Sequence, residues 1–190
     1  MAIPRRRLFS VAAILLLVAI GGWTYFNSLV PAIHPDHDHG LENIAGGGFL
    51  RVERVTGGTR NLVGRPGKVL ILHWFELGSA ATASELPFLV HYAQRVANDR
   101  EVEVAMIAMG KKREEVLAWA RQHGVPTASL YVDRESKTAG LIGVRRSPET
   151  LIYDPEGHLA HQARGPMNWA DPELHAAIEQ FKHGAGDHQH

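Results

Sequence analysis

Residues 73–87 read HWFELGSAATASELP and bring one imidazole, His73, close in sequence to the hydroxyls of Ser79 and Thr82. A serine becomes a nucleophile only when its proton is removed. Placing it at a helix start contributes about 0.3–1 kcal/mol, less than one pKa unit at about 1.36 kcal/mol per unit. Ser79 therefore needs a general base. His73 is nearest along the chain, but it stands inside an apolar run of strand type, six residues before Ser79. Gly78-Ser79-Ala80 also lacks the second glycine of a nucleophile elbow. These residue types suit a helix cap better: Ser79 is a good N-cap, Thr82-Ala83-Ser84-Glu85 has the form of a capping box, and the alanines favour helix. No catalytic residue is assigned. With no cysteine in 190 residues, this chain cannot itself exchange disulfides or build thiolate metal sites.

Histidine is the second chemical signal. Six of the twelve histidines fall in two short polar segments, with His34, His37 and His39 in HPDHDH and His183, His188 and His190 at the end. With Asp36, Asp38 and Asp187 beside them, neutral imidazoles could bind Cu(II), Ni(II) or Zn(II). The competing reading is solvated linker and tail, because the spacing is compositional and defines no geometry. His91 and His123 are expected on helix surfaces, His158 and His161 on a hairpin, and His175 on the last helix.

Lys plus Arg equal Asp plus Glu at twenty each, so no basic field draws nucleic acid. Arg5, Arg6 and Arg7 precede LFSVAAILLLVAIGGWTYF, long enough at 1.5 Å per residue to cross a bilayer, with Trp23 and Tyr25 suited to the far interface. Residues 1–30 are expected to be a single-pass anchor in the cytoplasmic (inner) membrane, leaving the C-terminal domain periplasmic or extracellular. A cleaved signal sequence is the rival, with Val30-Pro31-Ala32 as a processing site. Residues 31–48 are too rich in Pro, Gly, His and Asp to form a core and are expected to be a linker.

The elements that must position Ser79 follow. FLRVERV alternates like a half-buried strand and turns at Gly57-Gly58. VLILHWF, residues 69–75, is a continuous apolar run expected to be a strand buried on both faces. A helix over 81–99, bent by Pro87, leads to strand EVEVAMIAM and to helix KKREEVLAWARQHG closing on Gly124. ASLYVD, a short helix around SKTAGLIGV, a PETLIYD–HLAHQARG hairpin and a helix from Pro172 to Lys182 complete residues 49–182, ahead of a tail over 183–190. This order predicts an α/β domain with a mixed sheet covered on both faces.

Four pieces in this order carry a resemblance: Gly67-Lys68, Glu85-Leu86-Pro87, GVRRSPETLIYDPEG and Gly165-Pro166-x-x-Trp169. From about Gly48 to Phe181 the chain resembles the thioredoxin-like domain of the TlpA/ResA group, membrane-tethered disulfide reductases of the bacterial cell envelope, some serving cytochrome c maturation. The resemblance implies a thioredoxin-like fold, a cis Ser147-Pro148 bond, and a substrate groove lined by Gly78, Ser79, Thr82, Ser147 and Pro148. It also implies that Ser79 and Thr82 occupy the two thiol positions of the family, with Ala80 and Ala81 between them. The expected function is a redox-inactive, tethered protein-binding or scaffolding module for an envelope partner such as an apocytochrome or a metallochaperone. Arg145 and Arg146 would add local positive charge or stand as an ordinary solvated loop. The alternative is Cu, Ni or Zn handling through the histidine segments.

Overall fold

The computed structural model describes residues 50–63 and 67–183. The readings made for the 1–30 anchor, the 31–48 linker and positions 184–190 lie outside the described residues. Among the described residues no helix is long and apolar enough to cross a membrane.

Among the described residues the architecture is a seven-stranded sheet in the order β2-β1-β5-β4-β3-β6-β7. Strands β1 (Arg51–Arg54) and β2 (Thr59–Asn61) form the antiparallel element expected around Gly57-Gly58, with Val52 opposite Arg60. The apolar run becomes β3 (Val69–Phe75), parallel to β4 (Val102–Met109) and antiparallel to β6 (Glu149–Tyr153). Having a partner on each edge satisfies its backbone, and helices on both sides explain why its side chains need not alternate in polarity. Strand β5 (Leu130–Asp133) lies between β4 and β1. The outermost strand β7 (Leu159–Arg164) returns from β6 through a turn in which Asp154 Oδ1 accepts the Glu156 and His158 amides at 3.1 and 2.8 Å.

One face of the sheet packs against helices α1 (Ala80–Arg95), α2 (Arg113–His123) and α4 (Pro172–Phe181). Its core joins Ile71, Phe75, Met106 and Val132 to Leu86, Leu89, Val116 and Ile178. The other face is closed by α3 (Lys137–Leu141) and the chain around β1, which set Ala139, Ile142 and Leu62 on Leu72, Trp74 and Ile107. Burial of this kind stabilises by roughly 25 cal/mol per Å² of apolar surface.

Two expectations about α1 need correction. It ends at Arg95 with Val96 as its C-cap, well before residue 99, because the Ala97 and Asp99 amides turn back to the carbonyls of Gln94 and Val96. The Thr82–Glu85 pair does not form a capping box: the helix begins at Ala80, and Glu85 faces the core. Helix α2 ends as expected, on Gly124 in the left-handed conformation with φ of 66°.

Truncating the fully buried Ile71 (Ile71→Ala) should cost about 2–5 kcal/mol in denaturant unfolding. Phe88, on the outer side of α1 and 53% exposed, should change stability by no more than about 0.5 kcal/mol when replaced by alanine.

Candidate functional site

At the end of β3 the chain turns through Gly78, whose φ of +83° suits a residue without a Cβ, and enters α1. Ser79 is the N-cap, with extended φ and ψ of −74° and 144°. Its Oγ accepts the Thr82 amide at 3.0 Å and donates its own proton to Thr82 Oγ1 at 2.7 Å. The two hydroxyls thus engage each other at the head of the helix. Neither His73 nor any carboxylate hydrogen-bonds Ser79 among the described residues, so no general base is in place for it.

Three residues further along, Glu85 is 2% exposed. Its Oε1 accepts Trp169 Nε1 at 2.6 Å and the Met167 amide at 3.1 Å, which binds α1 to the loop before α4. The same loop donates the Gly165 amide to the Pro148 carbonyl at 2.8 Å. Ser147-Pro148 is a cis peptide, as the resemblance implies. One loop therefore fastens both α1 and the start of β6.

His73 lies on the same side of β3, with its Nδ1 hydrogen-bonded to Thr150 Oγ1 at 2.9 Å and 3.9 Å from Glu85 Oε1. That approach would be an ion pair only if the imidazole were protonated, and complete burial holds His73 neutral by lowering its pKa to about 3. Burial pushes the Glu85 carboxyl up, against the pull of the Met167 and Trp169 hydrogen bonds. His73 Nε2 and Glu85 Oε2 are buried without a hydrogen-bond partner.

Beside Ser79 opens a cavity of about 240 Å³ between α1 and α2. Gly78, Ser79, Thr82, Ala83, Leu86, Pro87 and Val90 form one wall, and Trp119, His123 and Val125 form the other. Of the residues expected to line a groove, Gly78, Ser79 and Thr82 also line this cavity, and Ser147 and Pro148 lie outside its lining. Ala80 is exposed at the head of the helix and Ala81 half-buried, while Arg145 and Arg146 are exposed.

Among the described residues no group of three or more His, Cys, Asp or Glu side chains could hold a metal ion. His183 is exposed at the end of the described chain, and His34, His37, His39, His188 and His190 lie outside it. His91, His123, His158 and His161 are exposed as expected, but His175 is half-buried, stacked on Tyr92 at 5.1 Å and donating Nε2–H to the Trp169 carbonyl at 2.7 Å.

The sequence placed Glu85 in a capping box and His123 on a helix surface and gave neither them nor Trp119 a place at the site. For Glu85 the signal was present: Thr82, Glu85, Leu86 and Leu89 fall on one helical face, and an acid on an otherwise apolar stripe calls for buried partners.

No family model matches the chain. Over 108 residues it is 32% identical to the thiol:disulfide interchange protein DsbE of Xylella fastidiosa strain 9a5c, covering 57% of this chain and 51% of that protein. It is 34% identical over 94 residues to DsbE of Allochromatium vinosum, covering 47% and 51%. The chain thus spans about half the length of the curated relatives it matches. Among solved structures, MTB DsbF superimposes with a TM-score of 0.60 at 18% identity, over 69% of this chain and 93% of that one.

The buried pair makes stability depend on pH with a definite sign. The unfolded chain protonates His73 near 6.5 and the folded chain near 3, so between these values the unfolded state binds more protons. Stability should fall as pH drops through that window, by up to about 1.4 kcal/mol per pH unit from this group. Glu85, raised by burial, acts in the opposite direction above its ordinary value of 4.5. In urea unfolding from pH 7 to 4, His73→Asn should lose stability less steeply than the parent; parallel curves would show that His73 is not held neutral. The chain has a thioredoxin-like α/β fold and is similar over 108 residues to the DsbE thiol:disulfide interchange proteins.

Proposed function

We propose that this chain is a TlpA/ResA- and DsbE-like module of the bacterial cell envelope that binds a partner protein without exchanging disulfides. One observation carries the reading: at the head of α1 the side chains of Ser79 and Thr82 cap the helix and hydrogen-bond each other at 2.7 Å, in a chain with no cysteine. The helix start, the cis Pro148 and the loop that joins them persist around a centre with no thiol. What such a surface retains is recognition, because an extended segment can still lie along it and fill the adjoining cavity. The apolar run over residues 8–26 supports a tether that keeps the domain at the inner membrane, facing the periplasm. A maturation client such as an apocytochrome is the partner class that the resemblance suggests.

If only the sulfur is missing, restoring it should restore the bond. Ser79→Cys/Thr82→Cys should form an intramolecular disulfide in oxidised glutathione, read as protection of both thiols from alkylation. Two freely alkylated thiols would show that these positions do not have the geometry of a redox pair.

Because the chain has no cysteine, Ala80→Cys supplies a single exposed thiol beside the cap for a short photo-crosslinker. Glu156→Cys supplies a control in the β6–β7 turn, at the far end of the sheet because β6 runs antiparallel to β3. Full-length protein in its own membrane should give discrete adducts from position 80 and not from 156. Identical background from both sites would reject a binding role for this face.

A further inference from the structure

The cavity beside Ser79 has a chemistry of its own. Leu86, Pro87, Val90, Trp119 and Val125 give it apolar walls. At about 240 Å³ it exceeds the roughly 150 Å³ of an apolar cavity that takes benzene, leaving room for a six-membered ring with one substituent.

The polar groups around it are short of hydrogens. Ser79 has donated its hydroxyl proton to Thr82, so toward a ligand its Oγ can only accept. His123 Nδ1 lies 2.9 Å from the Trp119 carbonyl, and a carbonyl only accepts, so Nδ1 carries the hydrogen. In the tautomer with its hydrogen on Nδ1, Nε2 is an acceptor. Pro87 stands inside α1 and has no N–H for the carbonyl of Ala83, four residues back, which belongs to a lining residue. A lone pair on Ser79, an imidazole nitrogen and a carbonyl released from the helix ladder can each accept from a donor brought into the cavity.

We propose that this cavity recognises a tyrosine side chain of the bound protein, its ring held against Trp119, Leu86 and Val90 and its phenolic O–H donated to one of these acceptors. An apolar body with a donor at its tip is what a phenol offers; phenylalanine lacks the donor, and tryptophan carries its N–H on the side of a larger ring system. The assignment deepens the binding-module reading and rests on it.

The test uses the full-length chain in detergent, titrated with N-acetyltyrosinamide, N-acetylphenylalaninamide and N-acetyltryptophanamide, and follows the Trp119 indole and His123 imidazole NMR signals. The tyrosine amide should shift both signals and bind about two- to twelvefold tighter than the phenylalanine amide, the factor that one net hydrogen bond supplies. Val90→Phe, which fills the cavity from a partly buried position, should abolish the shifts. Equal affinity for the tyrosine and phenylalanine amides, tightest binding of the tryptophan amide, or unmoved Trp119 and His123 signals would each overturn the assignment. The two readings fail separately. Adducts from position 80 that persist unchanged in Val90→Phe would overturn the tyrosine pocket alone, whereas absence of adducts beside saturable tyrosine binding would overturn the protein-binding role and leave only a site for free phenols.

Discussion

The arrangement depends on one carboxyl group in the core. Glu85 sits on the apolar face of α1, and a buried acid left without donors is costly, with an unsatisfied polar group alone costing about 1–3 kcal/mol. Trp169 Nε1 and the Met167 amide meet that demand at Oε1 alone, and in doing so they fix where the loop before α4 runs. The same loop holds Pro148 through the Gly165 amide. Helix α1 and the entry to α4 are therefore joined through Glu85, and the start of β6 through a backbone hydrogen bond from the same loop. His73, packed edge-on to Trp169 at 6.2 Å, closes this cluster from the sheet side.

Above that clamp, the head of α1 is held by hydroxyl groups. A thiol with an ordinary pKa near 8.5 needs only modest help to ionise at a helix start. A hydroxyl begins far higher, and a helix end supplies less than one pKa unit. Ser79 spends its hydrogen-bonding capacity on Thr82, accepting the amide and donating to the hydroxyl, and this is the configuration of a cap and not of a nucleophile. The result is a capped helix terminus beside a largely apolar cavity.

Much of the framework was legible before any coordinates. The unbroken apolar run of β3 marked an interior strand, Gly124 marked the end of α2, and the turn at Asp154–Gly157 marked the β6–β7 hairpin, because each rests on a local rule of burial, left-handed glycine or turn chemistry. The end of α1 was misplaced because its apolar spacing continues through Val96 while the backbone has already turned. Glu85 was misread for a related reason: at three residues from Thr82 it matches a surface capping pattern, and only the tertiary position of Trp169, 84 residues away, reveals its partner. The cavity was not legible at all. Trp119 reads as a core or rim aromatic and His123 as a helix-surface residue until α2 is laid against α1, a relation set by the sheet and not by local sequence.

The account stands or falls on whether hydroxyl and carboxylate side chains hold the head of α1 and the loop before α4. Amide hydrogen exchange of the full-length chain measures this at the two backbone groups concerned. The Thr82 amide, held by Ser79 Oγ, and the Met167 amide, held by Glu85 Oε1, have side-chain acceptors in place of backbone ones. Both should exchange as slowly as the amides inside α1, since their opening requires the cluster to come apart. Exchange at the rate of a free loop at either position would mean that the cap or the clamp does not form, and the scaffold described here would not exist.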